Sequence, residues 1–156
     1  MKRCGAGLAL LVLGLLAPGC KQGGQAAERE AAERENTCSE DELHRRGTCT
    51  RKALVLPEGV LRDRVDAAFI GQAESVRLEA TATVQRGAVR VWFEARGGAL
   101  QEVVVRPGAP ARLAGRPRTE RGPGVPGFVL YYQPLEGTPP RAEGLAVELR
   151  YDLEEG

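Results

Sequence analysis

Reactive side chains are scarce in this chain: one histidine, two serines and one tryptophan among 156 residues, with aromatics at 4% overall. Nucleophilic catalysis needs a serine or cysteine within hydrogen-bond reach of a base. The only imidazole, His44, sits beside Arg45 and Arg46 between two cysteines, and Ser39 is the one serine near it. Neither a third orienting group nor an oxyanion nest accompanies them, so an enzyme is not expected. Charge of one sign is missing as well. The formal net charge is +1, which excludes a global field that draws nucleic acid. Lysine numbers three against 19 arginines, and glycine, alanine and proline are common. That skew is what a GC-rich genome produces, so arginine clusters are discounted before they are given a role. The acids Asp63, Asp66, Glu74, Glu79 and Glu94 mostly alternate with apolar residues. They read as the wet face of strands rather than as facing carboxylates of a hydrolase. No cofactor or metal is expected. Gly5-Ala6-Gly7 is a false match to a dinucleotide loop, since no strand precedes it.

Long apolar runs are absent with one exception. Gly5 to Ala17 carry six leucines, one valine and no charge, after Lys2 and Arg3. As a helix, thirteen residues would span about 20 Å, short of a hydrocarbon core of about 30 Å. A basic start, a short apolar run and small residues before a cut are the pattern of a secretory signal peptide. The run ends Leu15-Leu16-Ala17-Pro18-Gly19-Cys20. This ending resembles the lipobox of bacterial lipoproteins, in which a small residue precedes the cysteine that receives a diacylglyceryl thioether. Gly19 fits the position before the cysteine. The two leucines lie one residue further upstream than usual, Ala17 stands where leucine is commoner, and Pro18 where alanine, serine or threonine is commoner. The competing reading is an ordinary cleaved signal, with Cys20 removed or left free.

The resemblance implies a protein anchored to the cell envelope by acyl chains on Cys20, palmitate among them. Each buried methylene contributes about 0.8 kcal/mol, so one chain holds marginally and two or more hold stably. Among Gram-negative lipoproteins an aspartate after the cysteine retains the protein at the inner membrane. Lys21 stands there instead, so the outer membrane or cell surface is favoured if the cell is Gram-negative. Lipidation also resolves the cysteine count. Cys4 lies in residues 1–19, and a lipid on Cys20 leaves Cys38 and Cys49 as one pair for an oxidising compartment. A Cys38–Cys49 bridge would stabilise by roughly 3 kcal/mol in the chain-entropy model. A metal site there is disfavoured, because the spacing with His44 does not match zinc. Loss of residues 1–19 removes Lys2 and Arg3, leaving 20 basic against 21 acidic residues and a net charge near −1.

Four regions follow: 1–19 as signal peptide, 20–36 as lipidated cysteine and tether, 37–50 as a disulfide loop, and 51–156 as the folded domain. The tether repeats AAERE at 26–30 and 31–35, a helix-favouring but stripe-free composition suited to a spacer. From residue 50 the period changes to two. Val76, Leu78, Ala80, Ala82 and Val84 share one face, against Arg77, Glu79, Thr81 and Thr83. Val89, Val91 and Phe93 alternate with Arg90, Trp92 and Glu94, and the intervening Gln85-Arg86-Gly87 predicts a hairpin. ALQEVVV, GFVLYYQ and GLAVELRYD are further strands, the last with Leu145, Val147, Leu149 and Tyr151 on one face. Thr50 to Leu56 is another, stopped by Pro57. Residues 60–70 fit helix or strand. Seven or eight short strands between glycine and proline turns predict an all-β antiparallel sandwich, jelly-roll or immunoglobulin-like.

Two features are candidates for ligand binding. Residues 106–127 hold Arg106, Arg112, Arg116, Arg118 and Arg121 against one acid, Glu120, with five prolines and five glycines that oppose regular structure over much of the stretch. Guanidinium groups suit phosphate, sulfate or carboxylate; the bland alternative is a solvated loop. Trp92 and Tyr131 fall on the polar phase of their strands, where an exposed ring could stack a sugar; the alternative is packing under a loop. The function expected is non-enzymatic binding or assembly at the envelope, with a membrane and an envelope protein or polysaccharide as partners. The runner-up is a carbohydrate- or polyanion-binding module using Trp92, Tyr131 and Arg112, Arg116, Arg118 and Arg121.

Overall fold

The structure is a computed structural model that describes residues 34–154, apart from 42, 57, 69, 71–74, 122, 123 and 136–141. The signal segment, Cys20 and the tether up to residue 33 lie outside the described residues. Ten strands account for the fold: β1 (Arg34–Asp41), β2 (Arg46–Val55), β3 (Leu61–Asp66), β4 (Ser75–Thr83), β5 (Val89–Glu94), β6 (Leu100–Val105), β7 (Ala111–Gly115), β8 (Thr119–Glu120), β9 (Gly127–Pro134) and β10 (Glu143–Glu154). One sheet runs β1-β2-β10-β4-β7. The other runs β3-β9-β5-β6, with β8 added beside β9. All pairings are antiparallel.

The pairing pattern decides between the two sandwich types expected. β2 pairs with β10, β3 with β9, β4 with β7 and β5 with β6. These pairs are nested around the β5–β6 turn, so the chain is a long two-stranded ribbon rolled into two sheets. That is the jelly-roll arrangement. An immunoglobulin-like sandwich instead places consecutive strands side by side in one sheet, which here happens mainly at β1–β2 and β5–β6.

Alternation puts one face of each strand inside. Val76, Leu78, Ala80 and Ala82 of β4, Val89, Val91 and Phe93 of β5, and Leu145, Val147, Leu149 and Tyr151 of β10 are all buried in a single core between the sheets. Apolar area removed from water on both inner faces is the main driving force for this stacking. Within segment 60–70, Leu61–Asp66 is a strand of period two: Leu61, Asp63 and Val65 point inward while Arg62 and Arg64 do not.

Two expectations are corrected. The predicted β4–β5 hairpin does not form; the two strands lie in different sheets. Residues 84–88 turn a corner between them, where Gln85 and Arg86 donate backbone hydrogen bonds to the Glu143 carbonyl at 3.1 Å each. Gly87, at φ +79°, passes so close to Ala142 that a Cβ would sit 2.9 Å from its Cα. The second correction concerns residues 37–50, expected as a loop before the domain. They form most of the β1–β2 hairpin, and Cys38 faces Cys49 directly across it. The disulfide is present, with Cα atoms 4.1 Å apart. β2 lies inside the sheet, between β1 and β10, so the hairpin belongs to the sandwich. Tyr151 of β10 pairs with Gly47 and lays its ring over it, where a Cβ would lie 2.1 Å from the ring. The same phenol donates to Glu40 of β1 at 2.5 Å.

Polar groups also join the two sheets. Arg51 of β2 and Asp63 of β3 point into the interior and pair at 3.6 Å. The Tyr132 hydroxyl donates to the same Asp63 oxygen at 2.9 Å, and Arg51 Nη2 donates to the Arg64 carbonyl at 3.3 Å.

Candidate functional site

The outward face of the β3-β9-β5-β6 sheet carries the aromatic pair. Strand register sets Arg62, Tyr131, Trp92 and Glu102 in one row across four strands. Trp92 and Tyr131 are direct cross-strand neighbours, and their rings stack with centroids 5.4 Å apart and planes 16° from parallel. The Arg90 guanidinium lies 4.8 Å from the Trp92 ring centre and is held there by Glu102. Trp92 is therefore engaged by Tyr131 and by a cation. It braces Tyr131 rather than offering a bare platform.

Beyond this row β5 leaves β9, and β8 takes its place beside β9 through Thr119–Phe128 and Glu120–Gly127. The divergence opens a groove of about 630 Å³ on the outer face, lined by Tyr131 and Val129 of β9, Arg62 and Arg64 of β3, Glu94 of β5, and Arg118 to Arg121 around β8. This size falls within the usual range for ligand pockets, about 300–1,000 Å³. Four guanidinium groups face two carboxylates here. Glu120 reaches both arginines of β3 with one oxygen, 2.5 Å from Arg62 Nη2 and 3.8 Å from Arg64 Nε. That carboxylate is the main cause that raises the Arg62 pKa above its ordinary value. Arg64 also bonds the Val125 carbonyl at 2.5 Å and Asp66 at 3.1 Å. Arg118 pairs with Glu94 at 3.1 Å, and its backbone N–H bonds the Glu94 carbonyl at 2.7 Å. Arg121 is exposed and has no ion pair among the described residues.

The structure thus brings Tyr131, Arg118 and Arg121 together, with Trp92 behind Tyr131. It separates the other two candidates. Arg112 lies on β7 in the opposite sheet, opposite Thr81. Arg116 is drawn off to the end of β10, where its fork grips Glu154 at 2.6 and 3.2 Å. The Arg116 hydrogen bond holds the Glu154 carboxyl below its ordinary pKa. The stretch 106–127 is also less irregular than its prolines suggest. β7 fits between Pro110 and Pro117, with Leu113 inward and Arg112 outward, and β8 fits between Pro117 and Pro123. Sequence reasoning missed Arg62 and Arg64. The signal was present as Leu61-Arg62-Asp63-Arg64-Val65, which alternates cleanly once the segment is taken as a strand.

His44 lies at the β1–β2 turn of the other sheet. Its Nδ1 is 2.6 Å from Asp41, and this hydrogen bond lowers the Asp41 pKa. No protein-family model matches the chain, and no curated protein matches it in sequence.

Proposed function

We propose that this chain is a lipid-anchored protein of a bacterial cell envelope, whose jelly-roll domain has a non-enzymatic binding or assembly role. The anchor is Cys20, after removal of residues 1–19, and Lys21 favours the outer membrane or surface in a Gram-negative cell. The observation that carries the binding role is the groove beside β8. Charged side chains from β3, the end of β5 and the segment around β8, with one braced aromatic ring, converge there, while the single histidine is tied to Asp41 at the turn of the opposite sheet. Convergent cations without a base beside a nucleophile suit recognition better than bond cleavage.

The same groove favours a second, narrower reading, a carbohydrate- or polyanion-binding module. Its basis is the excess of arginine around Tyr131. Jelly rolls serve as lectin domains among other roles, an analogy of fold alone. The anchor is tested by labelling the source cell with a palmitate analogue and fractionating it. Wild-type protein is expected labelled and in the membrane fraction, and Cys20→Ser unlabelled and released. Equal distribution of the two forms would remove the anchor from the account.

A further inference from the structure

We propose that the groove beside β8 is a carboxylate site, that Glu120 occupies it as an internal stand-in, and that its external ligand is an acidic glycan of the uronic-acid class. The inference rests on the polyanion-binding reading above and adds the ligand group and the means of entry.

The reasoning starts from Glu120. β8 is only two residues long, and its place beside β9 is secured by two register pairs. From that short strand Glu120 projects a carboxylate to the two arginines of β3, and it meets both through one oxygen. A planar two-oxygen acceptor is what a guanidinium fork matches best. Side-chain exposure is 50% at Arg62 and 41% at Glu120, so water and ions reach the pair. Exposed pairs of this kind contribute little, because water and salt screen them. An incoming carboxylate can therefore take over Arg62 at small cost, with Arg64 held beside it by Asp66 and the Val125 carbonyl, leaving Glu120 to turn to solvent.

The remainder of the groove describes the rest of the ligand. Its volume of about 630 Å³ far exceeds one carboxylate. Tyr131, backed by Trp92, gives one rigid aromatic wall, and Thr119 adds a hydroxyl. Arg121, with no ion pair among the described residues, is a second cation available without any exchange. A sugar ring with its carboxylate toward β3, and a second acidic unit toward Arg121, uses every one of these groups. A neutral sugar leaves the arginines satisfied only by their own acids and gains nothing from them.

The test is binding of the full-length protein to polygalacturonate, dextran sulfate and neutral dextran, by calorimetry at fixed salt. Three proteins are compared: wild type, Glu120→Gln, and Arg62→Gln with Arg121→Gln. Polygalacturonate is expected to bind wild type, with neutral dextran silent. Glu120→Gln is expected to tighten polygalacturonate binding about two- to fivefold, since the internal competitor is gone. The double arginine variant is expected to weaken it at least about tenfold. A gain of affinity cannot come from misfolding, and unchanged melting temperatures guard the loss. Polygalacturonate binding that is unchanged or weaker in Glu120→Gln overturns the stand-in while leaving polyanion binding in place. Polygalacturonate binding that survives undiminished in the double variant, or wild-type binding of dextran sulfate without polygalacturonate, overturns the carboxylate site. Silence with all three glycans overturns the polyanion reading itself and leaves the anchor at Cys20 untouched.

Discussion

Removing one member of the interior ion pair should damage this protein far more than removing the whole group. Arg51 and Asp63 come from different sheets and are 9% and 8% exposed, so neither charge is hydrated when its partner is lost. Among the described residues Arg51 Nε makes no hydrogen bond and meets Asp63 only as an ion pair, so the site is already incompletely compensated. Asp63→Leu leaves a buried guanidinium without its counter-charge and removes the acceptor of the Tyr132 hydroxyl. Breaking a buried pair in this way costs about 3–5 kcal/mol. For a domain of this size each kcal/mol moves Tm by about 4 °C, so the variant should melt about 12–20 °C lower. The triple change Arg51→Met, Asp63→Leu, Tyr132→Phe removes both charges and the hydroxyl together and fills similar volume. Its stability should return to within about 1–2 kcal/mol of wild type, since apolar replacement of a buried pair is often neutral or better. Urea titration followed by tryptophan fluorescence and circular dichroism reads both values. A loss under about 1 kcal/mol for Asp63→Leu, or a triple variant no better than the single, would refute the reasoning that desolvation dominates this pair.

Three further outcomes follow from the packing. Reduction of Cys38–Cys49 should cost up to about 3 kcal/mol, and the loosening should be confined to the outer strand. Among the described strands β1 pairs only with β2, so amide exchange should rise at Glu35–Asp41 and stay slow in β4 and β5; an unmoved melting temperature under reductant would show an idle bridge. Gly47→Ala should destabilise by about 1–3 kcal/mol through overpacking, because the new methyl meets the Tyr151 ring; denaturant melts check this, and a neutral result would mean the ring is free to move. Burial, and then the Glu40 hydrogen bond, raise the Tyr151 pKa above its ordinary 10.0. The folded state favours the protonated phenol, so its contribution is full below pH 10 and is lost as pH rises toward the folded value. Stability should therefore fall more steeply above pH 10 in wild type than in Tyr151→Phe, as read from denaturant midpoints across that range.

Much of the fold was legible where one face is wet and the other dry. β4, β5 and β10 alternate cleanly, and each buries the residues its pattern names. β1 carries no such signal. Residues 35–39 are all exposed, and the strand is held by its ladder to β2, the disulfide and Glu40 rather than by an apolar face. The corner at 84–88 was misread because Gln-Arg-Gly serves a hairpin and a crossing between sheets equally well. Which one forms depends on Glu143, nearly sixty residues away. The groove was half visible for a related reason. Arg118, Arg121 and Tyr131 stood out by composition, but Arg62 and Arg64 join them only through the β3–β9 register. Arg116, adjacent to the groove residues in sequence, is withdrawn by Glu154 at the far end of the last strand. Charge-pair choices of this kind are long-range and leave no local pattern.

The claim on which the account turns is the proposed acylation at position 20, because it would moor a domain with a polar outer surface to a membrane. Intact-mass analysis of the protein isolated from its own cell tests it most directly. The predicted result is a chain that begins at Cys20 and carries diacylglyceryl on its sulfur. A chain that still holds residues 1–19, or begins there with an unmodified thiol, would contradict it.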